Sequence, residues 1–211
     1  MRDLVVEFLG TFFLVLTVGF SGGDPLAIGA VLMIMVYIGG HLSGGHYNPA
    51  VSTAVWLRGR LRTSRWLAYM LAQIVGACTA GCLYYFLNDS FFGPTPNVPV
   101  SHAVILEFIY TLALCLTVLT VATTAKLKGN QIYGLAIGFA VLAGVASIGS
   151  MTGAALNPAV ATGPALTRFL FGTASWSVLW IYWVGPMAAG MVAGILYRFI
   201  YKLSPLISIM R

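Results

Sequence analysis

The sequence predicts an all-α membrane protein with six transmembrane helices and two re-entrant half-helices, built as an inverted repeat. Three observations predict it. Of 211 residues, 59% are hydrophobic and only 8% charged, against roughly 25% charged in a typical soluble domain. Apolar runs of the length a bilayer requires, about 17 to 25 residues, occupy most of the chain. Finally, Asn48-Pro49-Ala50 recurs as Asn157-Pro158-Ala159 (157 − 48 = 109), each time after a glycine-rich approach and before a short apolar segment.

The first span is expected from about Leu4 to Phe20. Glu7 interrupts its apolar run and the basic start is only Arg2 beside Asp3, so no cleaved signal peptide is expected. After the turn Ser21 to Pro25, a second span covers about Leu26 to Gly39, and the approach Gly39 to His46 leads to Asn48. Asparagine is a preferred N-cap and proline suits the first helical position, so the triplet reads as a helix start. The segment it opens, to Leu57, is too short to cross a bilayer. A third span follows from about Trp66 to Leu87, and the connection Asn88 to Ser101, with Pro94, Pro96 and Pro99, is non-helical. The second part repeats the plan. Spans are expected at about His102 to Ala125 and Tyr133 to Ile148. An approach Gly149 to Leu156 follows, then a half-span from Asn157 to near Leu166 and a last span at about Trp176 to Tyr201.

The two parts, 1–100 and 101–211, form a single channel-like domain. Leu26-Ala27-Ile28-Gly29 recurs as Leu135-Ala136-Ile137-Gly138, Ser43-Gly44 as Thr152-Gly153 and Gly76 as Gly185, all at the offset of 109, while Glu7-Phe8 and Glu107-Phe108 pair at 100. Three spans per repeat invert the second repeat in the membrane, so the two half-helices enter from opposite sides and meet near the midplane.

The net charge of +6 does not point to nucleic acid, because the positions of the basic residues are topogenic. Arg2, Arg58, Arg60, Arg62, Arg65, Lys126, Lys128, Arg198, Lys202 and Arg211 fall on one side of six spans, and only Arg168 on the other. The positive-inside rule then places both termini in the cytoplasm of a multi-pass protein, expected in the cell (inner or plasma) membrane. Cys78, Cys82 and Cys115 lie within apolar helical stretches with no His or carboxylate near in sequence to complete a metal site, and read as packing residues. Neither a metal nor a cofactor is called for.

Non-helical backbone at membrane depth is tolerated only in protein or along a wet cavity, so the approaches point to a pore. The carbonyls of Gly44, Gly45 and His46, and of Gly153, Ala154 and Ala155, offer a ladder of acceptors. Asn48 and Asn157 offer N–H donors while their side-chain oxygens cap their own helices. Two half-helix N-termini, each worth about half a positive elementary charge, aim at one point. Cations meet a barrier there and neutral dipolar molecules do not.

The chain resembles the aquaporins (major intrinsic proteins) through Glu7-Phe8-Leu9-Gly10-Thr11, Ser43 to Val51, Gln73, Gly76, Glu107, Asn157-Pro158-Ala159, Gly163-Pro164 and Trp183-Val184-Gly185-Pro186. The resemblance implies passive permeation of water, exclusion of protons and ions, a homotetramer with one pore per protomer, and Glu7 and Glu107 as braces for the two breaks. It also locates an outer selectivity filter twenty residues before the first asparagine, and twelve before, three before and three after the second. Those positions are Ile28, Val145, Ala154 and Val160. Orthodox water channels carry Phe, His, a Cys or small residue, and Arg there. The all-apolar set here leaves two outcomes open, a wider pore passing glycerol, urea or ammonia, or a narrow one prone to dewetting. Val160-Ala161, in place of Arg-Asp, and Tyr182-Trp183 lean toward the water-channel branch. Ala154 occupies the usual mercury-sensitive cysteine position.

Several residues keep two readings. Arg168 is either a surface arginine or a charge leaning over the mouth. His46 reads as a bracing residue with its carbonyl to the pore, and His41, at the cytoplasmic entrance, either as a pH-sensitive element or, the favoured reading, as a plain entrance residue. The rival function is a secondary transporter, but the midplane offers amides and carbonyls without the ionisable groups coupled transport normally uses. No nucleophile is paired by motif with a base, which argues against an enzyme.

Overall fold

The computed structural model describes residues 1–172 and 177–201; Lys202 and Arg211, counted above among the topogenic charges, and the expected start of the last span at Trp176 lie outside the described residues. Among the described residues eight α-helices follow in order: α1 Arg2–Phe20, α2 Pro25–Ser43, α3 Pro49–Leu57, α4 Thr63–Asn88, α5 Val100–Thr123, α6 Tyr133–Thr152, α7 Pro158–Phe171 and α8 Ile181–Ile200. Six of them (α1, α2, α4, α5, α6, α8) are long and apolar enough to cross a membrane. α3 and α7 are the two shorter ones, and each begins at a proline behind a capping asparagine.

Two expectations need correction. The glycine-rich approaches are largely helical: α2 runs through Gly39 and Gly40 to Ser43, and α6 through Gly149 to Thr152. The helix ends come at Gly44 and Gly153, which adopt left-handed backbone at φ 97° and 80° and return their N–H groups to the carbonyls of Gly40 and Gly149. Left-handed C-caps are the usual task of glycine. Gly39 serves packing, since a Cβ there would collide with the Tyr47 hydroxyl. The second half-helix is also longer than expected, continuing past Pro164 to Phe171.

The repeats interlock. α1 packs on α4 and α5 on α8, while each half-helix packs on the last span of the other repeat, α3 on α8 and α7 on α4. α2 and α6 cross where Gly29 and Gly138 face each other, and a Cβ on either would lie 2.8 Å or 2.5 Å from the other's carbonyl oxygen. Small residues allow such close backbone approach in membrane bundles, where burial of apolar surface supplies no drive between helices. The α5–α6 connection, with a 3-10 turn at Ala125–Leu127, is longer than the α1–α2 connection, and α5 runs further beyond Glu107 than α1 does beyond Glu7; together these produce most of the change of offset from 100 to 109.

One end of the bundle, the basic face, gathers Asp3, Arg58, Arg65, Thr123 and Arg198. Arg65 reaches Asp3 and Arg58 reaches Thr123. Arg198 is buried there and donates to the carbonyls of Leu57 and Arg58 at 3.5 and 3.4 Å, holding a cation at the C-terminus of α3 where helix dipoles favour one. The opposite face carries Ser21 to Asp24 and the segment after α4.

Candidate functional site

The two breaks have the same backbone. Tyr47 and Leu156 precede the asparagines at φ 49° and 51°, and Asn48 and Asn157 are extended at φ −157° and −161°. Left-handed conformation in bulky residues is costly, of order 1–2 kcal/mol each, and persists only where surroundings enforce it. Here the enforcers are the buried carboxylates. Glu7 Oε1 accepts from Ser43 Oγ at 2.7 Å and His46 N at 3.0 Å, and Oε2 from Tyr47 N at 2.7 Å and Gln73 Nε2 at 2.8 Å. Glu107 Oε1 accepts from Thr152 Oγ1 at 2.7 Å and Ala155 N at 3.1 Å, and Oε2 from Leu156 N at 2.7 Å. Each carboxylate thus satisfies two successive backbone N–H groups that leave the helical path.

Sequence reasoning missed the partners of these braces. Ser43 and Thr152 hydroxyls also accept from Gly45 N and Ala154 N, and Tyr69 and Tyr182 hydroxyls donate to the carbonyls of Ser43 and Thr152. The Ser43/Thr152 match at the repeat offset was the available signal. His46 is tied through Nδ1 to Ser52 Oγ at 3.1 Å, which also accepts from Gln73 Nε2 at 2.9 Å. That agrees with a bracing role for the ring.

The asparagines do three things at once. Their Oδ1 atoms accept from Ala50 N and Ala159 N, both at 2.9 Å, capping α3 and α7. Asn48 Nδ2 donates across to the Leu156 carbonyl at 2.8 Å, and Asn157 Nδ2 to the Tyr47 carbonyl at 2.9 Å. A carboxamide has two N–H donors, so each asparagine keeps one for a passing molecule. Pro49, Ala50, Pro158 and Ala159 are buried around this contact.

Both asparagines line a cavity of about 580 Å³ that extends from Gly22, Gly23 and Phe92 at the opposite face to His46 and Val118. Ile28, Val145, Ala154 and Val160 all lie on its wall, each 5 to 7% exposed. Among the described residues no Lys, Arg, Asp or Glu lines it. A second cavity of about 630 Å³ opens at the basic face past His41, Arg60 and Lys128, and the two share His46, Val118 and Ile137. Of the ladder residues, His46, Gly153, Ala154 and Ala155 border the first cavity and Gly44 the second, while Gly45 turns against Gly40 and borders neither. Arg168 is off the first cavity, with its guanidinium 5.7 Å from the Phe91 ring centroid, which favours its surface reading.

The comparisons with known proteins decide what this architecture belongs to. The family model described as Major intrinsic protein matches residues 1–197. The chain belongs to the major intrinsic protein family. A probable aquaporin of TIP type from Medicago truncatula is 38% identical over 175 residues, covering 81% of this chain and 68% of that protein. Aquaporin-4 of Mus musculus is 33% identical over 222 residues, covering 95% and 67%. The solved structure of the aquaglyceroporin from Plasmodium falciparum superposes with a TM-score of 0.79 at 24% identity over 95% of each chain, a likeness of fold. As a major intrinsic protein with six membrane-length helices, the chain is a multi-pass membrane channel.

Proposed function

We propose that this major intrinsic protein conducts water and small neutral solutes, among them ammonia, urea and glycerol, passively and in both directions, and excludes protons and other ions. The observation that carries the reading is the paired asparagine contact, with one uncommitted N–H on each side of a cavity in whose described wall no Lys, Arg, Asp or Glu takes part. A water oxygen that accepts from both donors turns its protons away from its neighbours in the file, breaking a proton-conducting chain, and the converging dipoles of α3 and α7 oppose cations.

Of the two outcomes left open for the apolar filter, the wide pore is the better supported. Ile28, Val145, Ala154 and Val160 line the first cavity together with both asparagines, and none of these four side chains has the length of an arginine or the bulk of an aromatic ring to fill it. A solute there meets shape more than charge, so discrimination among neutral solutes is weak. Ile28, Val145, Ala154 and Val160 set it, with Glu7 and Glu107 as braces behind.

The names of the relatives support a water pore, and one structural neighbour is called an aquaglyceroporin. We read the assembly as a homotetramer in the cell membrane with both termini in the cytoplasm. The orientation rests on the basic face, and the oligomer on family membership. Stopped-flow measurement of proteoliposomes with water, glycerol, urea and ammonia in parallel tests the function. Flux that saturates, or that needs an ion gradient, would overturn the channel reading.

A further inference from the structure

Only five carboxylates accompany eleven basic residues in this chain, and the structure accounts for all five. Asp3 pairs with Arg65 at 3.3 Å and with the N-terminal amine at 3.2 Å. Glu7 and Glu107 are consumed in bracing the breaks. Asp24 caps α2 and Asp89 ends α4, both at the opposite face. None remains for Arg60, Lys128 and His41, which line the second cavity, and no carboxylate lies on that wall. Among the described residues neither Arg60 nor Lys128 takes part in an ion pair. Both belong to connections, Arg60 between α3 and α4 and Lys128 between α5 and α6, so two repeats deliver their charge to one concavity. Both residues are exposed, so salt screens them in part, and what adds their fields is the concavity they share.

We propose that this cavity binds a small polyvalent oxyanion of the phosphate type between Arg60 and Lys128. Arginine supplies a planar fork of donors that matches two phosphate oxygens, and lysine a mobile point charge for a third. At about 630 Å³ the cavity has room for such an anion and its hydration water. Because its wall includes His46, Val118 and Ile137, which also border the first cavity, an anion held there occupies the basic-face approach to the proposed conduction path and slows it. The binding claim is independent of the proposed function; only the slowing of flux rests on it.

The test uses the intact purified protein with inorganic pyrophosphate and inorganic phosphate as probes, against chloride of matched ionic strength. Calorimetry in phosphatidylcholine nanodiscs reads binding, and stopped-flow water permeability of phosphatidylcholine vesicles with the probe on both sides reads the slowing. A parallel arm without soluble anion compares phosphatidate with phosphatidylcholine nanodiscs, so that a lipid headgroup as the source is distinguished from a free anion. Expected is saturable pyrophosphate binding that is weakened about tenfold or more, the scale of a lost charge-assisted contact, in Arg60→Ala with Lys128→Ala. The Arg65→Ala variant, which removes a cation already paired with Asp3, should bind as the parent does. Phosphatidate retained by the parent and lost by the double variant, without pyrophosphate binding, supports the same site with lipid as its source. Binding of neither source, or binding undiminished in a double variant that still elutes as the parent oligomer, overturns the proposal. Pyrophosphate that binds while water flux is absent from the parent leaves the site standing and sinks the channel reading instead.

Discussion

Asn48 and Leu156 are joined across the pseudo-two-fold axis by a 2.8 Å hydrogen bond from the asparagine Nδ2 to the leucine carbonyl, and Asn157 returns the bond to Tyr47 at 2.9 Å. The asparagines therefore link the two repeats in addition to capping their own helices. Asn48→Ser separates the two tasks, because serine can cap α3 but cannot reach the opposite break. An orphaned buried carbonyl costs about 1–3 kcal/mol, and loss of the cap in Asn48→Ala about 1 kcal/mol more. Thermal unfolding in detergent should rank the parent above the serine variant and the serine variant above alanine. A serine variant as stable as the parent would refute the cross-link.

Glu7 and Glu107 brace equivalent breaks with unequal sets of donors. Glu7 receives four hydrogen bonds, two on each oxygen, and Glu107 receives three, with only Leu156 N on Oε2. Replacing either with glutamine turns one oxygen into an N–H₂ group facing donors. In Glu7→Gln that group opposes one backbone N–H in either orientation, His46 or Tyr47, and in addition forces the Ser43 hydroxyl or the Gln73 carboxamide to reorient, whereas in Glu107→Gln it need oppose only the Leu156 N–H. At about 1–3 kcal/mol per unmet buried donor, Glu7→Gln should lower the unfolding temperature more than Glu107→Gln. Equal shifts would mean that the braces are not limited by hydrogen-bond count.

Val160→Arg restores a cation to a cavity wall that has none. The longer side chain narrows the space between Ile28, Val145 and Ala154, and its charge adds to the barrier already set by the two half-helix dipoles. Glycerol and urea permeability should fall about tenfold relative to water, corresponding to about 1.4 kcal/mol on the barrier. Unchanged solute flux in vesicles that still conduct water would remove Val160 from the selectivity argument.

The parts of the fold legible in the sequence were those with local causes. Span number followed from apolar length, and the half-helix starts from an asparagine cap before proline, so Asn48 and Asn157 head α3 and α7 as expected. The breaks themselves were misplaced by about a turn. Glycines 39, 40 and 149 look like breakers in one dimension, yet the helices run through them, and what Gly39 avoids is the Tyr47 hydroxyl, a contact known only after folding. The second half-span, expected to end near Leu166, runs on to Phe171 with Pro164 inside the helix. Arg198 read as one more topogenic charge, and its place under the C-terminus of α3 depends on the packing of α3 against α8, which no local pattern encodes.

Ala154 combines the last two features, a forced backbone and a place on the pore wall. It sits in left-handed conformation at φ 43°, buried, and borders the first cavity. The protein's own thiols are elsewhere: Cys78, Cys82 and Cys115 border neither cavity, and Cys82 Sγ lies 3.7 Å from Thr167 Oγ1 in the contact between α4 and α7. Mercurials should therefore leave water permeability of the parent nearly unchanged. Ala154→Cys adds one sulfur atom to the wall without altering the backbone requirement, since alanine and cysteine bear the same Cβ penalty at positive φ. Its permeability should be close to the parent's before treatment and largely lost after it, with recovery on adding a thiol reductant. Strong block of the parent that disappears on replacing one native cysteine would instead place that cysteine on the conduction path and contradict the position assigned to Ala154.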